Sequence, residues 1–248
     1  MNRNCLSYWF PKLQDAGVSV PRTEIIRTNI KLECLCDGEI PEGFDDFRRS
    51  LEEAAVKIAP LDSPLFLRTG QGSGKHDWKN CCYLTAASKL ADHVRSLVEW
   101  SHMVDFIGLP HDVWCVREYL PVEPVAVLPR YGDMPLVREL RGFIENGKVV
   151  CVHNYWPAKA IVQGGGTEEE AKRATVFINA VGCTEPAAID LIHEVAAAFA
   201  DNGSWSVDVL QTKRGWFVTD MAEAGRSFHW EGCENESRVW AKPKGGGQ

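Results

Sequence analysis

The sequence predicts an α+β fold with antiparallel sheets. Three observations predict it. Short alternating apolar runs and helical patterns follow one another without the regular strand–helix alternation of a doubly wound sheet. Turn signals join neighbouring runs into hairpins, the strongest being Asn146-Gly147 within Glu145-Asn-Gly-Lys148. A long helical pattern from Ala86 to Phe106 carries Leu90, Val94, Leu97 and Val98 on one face, as a helix packed on a sheet does.

In chain order, Tyr8 to Ala16 has a helical pattern interrupted by Pro11, and Thr23 to Ile30 reads as a strand. Phe44 to Ile58 is an amphipathic helix with Asp45 and Asp46 in its first turn. After Pro60 and Pro64 come a short strand, Leu65-Phe-Leu-Arg68, and a loop, Thr69-Gly-Gln-Gly-Ser-Gly74, expected to be mobile. Lys75-His-Asp-Trp-Lys79 leads into a strand at Cys81 to Leu84. Beyond the long helix, Val113 to Leu120 is a strand ending before Pro121. Leu140 to Ile144 and Val149 to His153 form the Asn-Gly hairpin. Gly164-Gly-Gly166 is a flexible joint, with a weak phosphate reading. Thr167-Glu-Glu-Glu170 is a capping box opening a helix to about Ala180, and Thr184-Glu-Pro186 opens another to about Asp201. No repeat is visible, and Lys242 to Gln248 reads as a disordered tail.

With 248 residues, 45% hydrophobic and 25% charged, the chain can bury a large core as one domain or two. A net charge of −7 argues against broad phosphate-driven binding to nucleic acid, and no apolar run approaches the length of a membrane span. The N-terminus lacks a signal-peptide core. Nine cysteines at irregular spacing, with no Cys-x-x-Cys, read as reduced, mostly buried thiols in a cytoplasmic protein rather than as a zinc ribbon.

The C-terminal run from Trp205 to Met221 holds two aspartates on one hairpin. With Lys213-Arg214-Gly215 as a three-residue loop, Asp208 lies directly opposite Asp220 on the same face, where like charges repel. A divalent cation with oxygen ligands is the natural partner. The alternative is a pair of solvated acids, and a loop of two or four residues would send the two to opposite faces.

Three further groups could carry chemistry. Arg68, Lys75 and Lys79 flank the glycine loop and suit a polyphosphate, whose oxygens the loop amides could approach. The Walker order is missing, and a solvated loop with surface lysines is the competing reading. Val116-Arg-Glu-Tyr-Leu-Pro121 is a strand end that could read an adenine edge, through backbone groups and Glu118. Glu139, Arg141 and Phe143 share one face by period two, and Arg141 there needs an anion or a structural salt bridge. His76 is the one histidine near these groups and reads as a surface residue of the loop rather than a base. Trp78, Trp156, Trp230 and Trp240 are read as exposed and suited to a peptide surface, with core packing as the alternative.

In this order the four elements resemble an ATP-grasp enzyme over about Pro64 to Trp230. Leu65-Phe-Leu-Arg-Thr-Gly-Gln-Gly-Ser-Gly-Lys-His-Asp-Trp-Lys79 is similar to the arginine-plus-two-lysine signature of a small ATP-grasp clade of phages and bacteria. That clade is related to the eukaryotic cell-division-cycle protein that assists assembly of a translation initiation factor. Glu139 to Tyr155, Ser206-Val-Asp208 and Phe217-Val-Thr-Asp220 also resemble it.

The resemblance implies ATP between two α+β lobes under a glycine-containing flap. Arg68, Lys75 and Lys79 would hold the phosphates, and Glu118, Tyr119 and Leu120 would form the adenine hinge. Arg141, with Lys79, would act on the γ-phosphate or acyl group, while Asp208 and Asp220 would hold magnesium. The implied domains are a cap at 1–60, a first lobe at 61–120, a second lobe at 121–240 and the tail at 241–248. Two residues depart from the clade: Ala222 stands where an asparagine ligand is usual, and Asp220 replaces a glutamate, with Glu223 a conceivable substitute ligand. The implied activity is a magnesium-dependent ligase joining a carboxylate to an amine or thiol through an acyl phosphate, with metabolites or a protein terminus as substrates. A different class is an ATP-binding assembly factor that clamps a partner's C-terminal segment. A third is a kinase-like phosphotransferase.

Overall fold

Four strands, β1 (Thr23–Arg27), β2 (Leu65–Thr69), β3 (Tyr83–Leu84) and β4 (Val113–Glu118), pair antiparallel in the order β1-β4-β2-β3. Every residue of β4 is buried, as expected of a central strand in a covered sheet. The computed structural model describes residues 2–60, 62–104, 109–165, 167–180, 185–201 and 203–236. The expected tail and Trp240 lie outside the described residues, as does Thr184 of the second helix start.

Two helices share a core with this sheet. In α2 (Phe44–Ile58), Phe44, Phe47, Leu51, Ala54, Ala55 and Ile58 are buried at helical spacing, and Asp45 and Asp46 sit at the positive end of the dipole. In α4 (Leu90–Val104), Leu90, Val94, Leu97 and Val98 are buried, joining Leu65, Leu67, Trp114 and Val116 of the sheet. Between β2 and β3, the strand expected over Cys81 to Leu84 begins instead with the last residue of a short helix and a turn. Lys75–Asp77 is a 3-10 turn and α3 spans Trp78–Cys81, leaving only Tyr83–Leu84 extended.

A second four-stranded antiparallel sheet has the order β10-β9-β7-β8, with β7 (Glu139–Glu145), β8 (Lys148–Asn154), β9 (Ser204–Thr212) and β10 (Gly215–Glu223). Asn146 and Gly147 take φ of 47° and 78°, the positive values of a tight turn twisted to match its strands. Helix α7 (Pro186–Ala198), opening on a proline in its first turn, packs on this sheet. A Cβ on Gly142 would lie 2.7 Å from Ile192, so glycine lets helix and strand approach. Helix α1 (Leu6–Asp15) runs through Pro11 and buries Leu6, Trp9, Phe10 and Leu13.

A small hairpin, β5 (Ala126–Leu128) with β6 (Met134–Leu136), and a short helix α5 (Ala158–Gln163) have no counterpart in the sequence reading. Runs of three residues are too short for periodicity to register. Helix α6 spans Glu168–Ala180, starting where the capping box predicts.

The chain divides into two compact units that do not follow chain order. One comprises the described residues of Met1–Val20, Val137–Ala158 and Lys172–Gln248; the other comprises those of Pro21–Leu136 and Lys159–Ala171. Among the described residues no helix is long and apolar enough to cross a membrane. None of the described cysteines is in a disulfide; Cys5, Cys81, Cys82 and Cys115 are buried and Cys36 is exposed.

Candidate functional site

Strand alternation divides the second sheet into an apolar and a polar face. Trp205, Val207 and Val209 of β9 align with Ile144, Gly142 and Leu140 of β7 on the face that meets α7. Ser206 and Asp208 align with Phe143 and Arg141 on the other.

The hairpin that carries Asp220 reaches the expected pairing by a different route. Thr212 pairs with Gly215, so the turn holds only Lys213 and Arg214. With that turn alone, Asp208 would oppose Thr219, and Asp220 would share the apolar face of Val218. A bulge between Val218 and Asp220 adds one residue and reverses the alternation. Asp220 therefore opposes Asp208 after all.

The register extends this pair into a row. His153 of β8 faces Arg141, Arg141 faces Asp208, and Asp208 faces Asp220. Arg141 Nε and Nη2 donate to the two carboxylate oxygens of Asp208 at 2.7 and 2.9 Å, a two-pronged pair with both side chains largely buried. Burial opposes the Arg141 charge, but the Asp208 carboxylate outweighs it and raises the guanidinium pKa further. Arg141 also lies 4.5 Å over the Tyr155 ring, and its Nη1 donates to the Phe228 carbonyl at 3.2 Å. The cation beside Asp208 is thus an arginine of the same sheet. Asp220 Oδ1 accepts from the Met221 N–H at 3.0 Å.

Ala222 opposes Ser206 on this polar face. Glu223 does not substitute for the missing asparagine. It opposes Trp205 on the other face, where Asn4 Nδ2 donates to it at 3.3 Å and Arg3 pairs with it at 3.4 Å.

In the other unit, Arg68 is buried on β2 and its Nε donates to the Thr69 carbonyl at 3.1 Å. The glycine loop is pinned rather than mobile. Gly70 N–H donates to Val113 O at 2.7 Å, and Gly72 and Gln71 N–H donate to Thr69 Oγ1 at 3.0 and 3.4 Å. A Cβ on Gly72 would lie 2.4 Å from the Trp100 ring, and one on Gly74 2.8 Å from the Cys81 Cβ. The amides of Gln71 and Gly72 thus bond within the loop, and that of Gly70 bonds the neighbouring strand β4.

Lys79 is exposed and forms an ion pair with Asp133. Gly132 permits this: at φ +67°, a Cβ there would lie 2.9 Å from the Trp78 backbone nitrogen. Lys75 is half-buried, and His76 stacks on Tyr131 at 4.6 Å. Burial and then Lys75 lower the His76 pKa. Glu118 is buried at the end of β4, where its carboxylate accepts from Arg22 N–H at 2.8 Å and Arg22 Nε at 3.4 Å. Tyr119 packs against Tyr83 at 5.0 Å and Trp78 at 6.3 Å, and Leu120 is buried. Of the tryptophans read as exposed, Trp156 is buried and Trp78 and Trp230 are half-buried.

The chain matches the model of an ATP-grasp domain, family 3 of the arginine-plus-two-lysine clade, over residues 55–242. The chain belongs to this ATP-grasp family. Among solved structures it is similar to Cdc123 from Schizosaccharomyces pombe, with a TM-score of 0.58 at 14% identity over 92% of this chain and 88% of that one. C-terminally truncated Cdc123 from the same organism gives 0.53 at 12% identity, over 88% and 82%. No curated protein matches in sequence. The likeness in structure is one of fold alone; the ATP-grasp assignment comes from the family model.

ATP-grasp proteins imply magnesium, and the polar face can be tested for it. Asp208 and Asp220 are two carboxylates at directly opposed positions, the hard oxygen donors that magnesium takes. Arg141 uses one lone pair on each Asp208 oxygen, and a carboxylate has about four. The donor set fits one ion, with Ala222 adding no ligand.

Proposed function

We propose that this ATP-grasp protein binds ATP with magnesium and uses it to activate a carboxylate. The observation that carries this reading is the cross-strand row Arg141–Asp208–Asp220, which sets two acids and a fixed arginine on one sheet face of a chain in this family.

Asp208 and Asp220 would hold magnesium, which supplies charge neutralisation at the phosphates when bound. Arg68, Lys75 and Lys79 would bind the phosphate oxygens, Lys79 exchanging Asp133 for phosphate. An exposed ion pair is worth about 0–1 kcal/mol, so the exchange costs little. Glu118, Tyr119 and Leu120 would border the adenine, with Glu118 held by Arg22 so that main-chain groups do the reading. Arg141 would fix the Asp208 carboxylate and turn its remaining N–H donors toward the transferred group.

The γ-phosphoryl group would pass to a carboxylate oxygen, releasing ADP, and an amine or thiol would then attack the acyl carbon and expel phosphate. Such transfer depends on positioning and charge neutralisation, which these side chains supply without a covalent nucleophile. The carboxylate and acceptor could be metabolites or a protein terminus.

Ala222 favours a second reading, an ATP-binding assembly factor that clamps a partner's C-terminal segment without turnover. The test is ADP release with ATP, magnesium and panels of carboxylates and amines. Release that requires both substrates supports the ligase. Stoichiometric ATP retention without release overturns it in favour of the assembly factor.

A further inference from the structure

On the same polar face, two cysteines and two histidines converge that play no part in the proposed nucleotide chemistry. Cys151 and His153 lie two residues apart on β8, so both side chains leave the same face of the strand. His229 and Cys233 belong to the segment that follows β10. One ligand atom from each of the four residues can be chosen so that all lie within 4.8 Å of one another. We propose that Cys151, His153, His229 and Cys233 form a tetrahedral zinc site that fastens residues 228–233 to β8.

The donor set is the first argument. Two thiolates and two imidazoles in a tetrahedral arrangement select zinc among the common divalent ions, because soft sulfur disfavours magnesium and calcium. Distance is the second. Zn–S and Zn–N bonds of about 2.3 and 2.0–2.1 Å put tetrahedral ligand atoms roughly 3.3–3.8 Å apart. Cys151 Sγ and His229 Nε2 are 3.2 Å apart, a few tenths of an ångström inside that spacing, so a small outward shift would admit the ion.

The third argument is an unmet need. His153 Nε2 is buried without a hydrogen-bond partner among the described residues, a cost that a metal bond would remove. His229 is itself almost wholly buried, and the two rings meet edge to face at 4.9 Å.

The backbone also fits the task. Cys233 N–H donates to Trp230 O at 3.4 Å across a turn whose third residue, Gly232, has φ +77°. A turn with positive φ at that position favours glycine, and this one folds Cys233 back toward His229. The segment is held at two further points: Trp230 Nε1 donates to Asn154 O at 2.8 Å, and Phe228 O accepts from Arg141. A zinc ion here would therefore steady the chain that contacts Arg141, at a distance from Asp220 across the sheet.

The full chain, purified without a histidine tag, is assayed for metal by mass spectrometry and for Co2+ uptake by absorption. About one zinc per chain is expected, with the intense visible bands and thiolate charge transfer of tetrahedral cobalt. Cys233→Ser and His229→Ala should lower zinc below about a tenth of an equivalent, whereas Asp220→Asn should leave zinc unchanged. Wild-type chain that is folded by near-ultraviolet dichroism, yet carries no zinc and gives no cobalt bands, overturns the proposal. That result would leave the nucleotide reading intact, and loss of ATP binding in Asp220→Asn would leave the zinc site intact.

Discussion

Arg141 and Asp208, directly opposed on neighbouring strands, form a two-pronged ion pair with N–O distances of 2.7 and 2.9 Å. Both are largely enclosed, so the pair supports the fold and fixes the carboxylate proposed to hold magnesium. A buried pair tolerates joint replacement better than the loss of one member.

Arg141→Met is expected to lower the unfolding free energy by about 3–5 kcal/mol, because Asp208 is left as an uncompensated buried charge. Adding Asp208→Leu should recover most of that loss. Urea denaturation of the single and double variants measures it, and equal stability of Arg141→Met and the parent contradicts the pair's structural role.

Asp220→Asn should spare stability, since this acid is only half-buried, while weakening magnesium-dependent ATP binding. A charged ligand to a divalent cation is worth at least a charge-assisted hydrogen bond, about 1.5–3 kcal/mol, which corresponds to a tenfold or greater loss. Titration calorimetry with and without magnesium reads the effect; unchanged magnesium dependence would remove Asp220 from the site.

Lys75→Ala and Lys79→Ala should each weaken ATP roughly tenfold or more, while adenosine affinity holds. Asp133→Asn should preserve or improve ATP affinity, because it releases Lys79 from its ion pair. Equal losses for ATP and adenosine would point to damage of the loop instead.

Gly142→Ala should destabilise by about 1–3 kcal/mol through overpacking, as the added methyl meets Ile192 at 2.7 Å. Ile192→Val should relieve part of this. Thermal or urea unfolding of the single and double variants checks it, and a Gly142→Ala chain as stable as the parent would mean that α7 shifts freely.

His93 is buried on α4, its Nδ1 3.0 Å from Cys81 O, and burial lowers its pKa despite that hydrogen bond and the nearby Asp92 and Asp77; Lys89 lowers it further. The folded chain thus favours neutral His93, and the unfolded chain binds the proton first as pH falls. The resulting loss of stability begins near pH 6.5, the unfolded value, and is complete once pH has passed below the lowered folded value. His93→Gln should flatten this part of the stability–pH curve; an unaltered slope would show that other groups cause it.

Local patterns carried much of the architecture. Phe44–Ile58 was readable because six apolar residues recur at helical spacing with acids at the start, and Asn146-Gly147 because few residue pairs adopt positive φ at both turn positions. The pinning of the glycine loop was not readable. It depends on Thr69 meeting the amides of Gln71 and Gly72 and on Trp100 arriving from α4. The Cys151, His153, His229 and Cys233 cluster was not readable: 78 residues separate Cys151 from His229, and neither Cys-x-His nor His-x3-Cys is a familiar zinc motif.

The aspartate hairpin divides what the sequence determined from what the tertiary structure decided. Alternation and a turn glycine were enough to place two acids on paired strands, and the order of cationic and acidic motifs was enough to suggest the family. Opposition of Asp208 and Asp220 was decided by one residue of bulge, because a shift of one in strand register moves a side chain to the other face. Hydrogen bonding across the assembled sheet sets that register, as it sets Arg141 beside Asp208, and neither is encoded in the local spacing of residues.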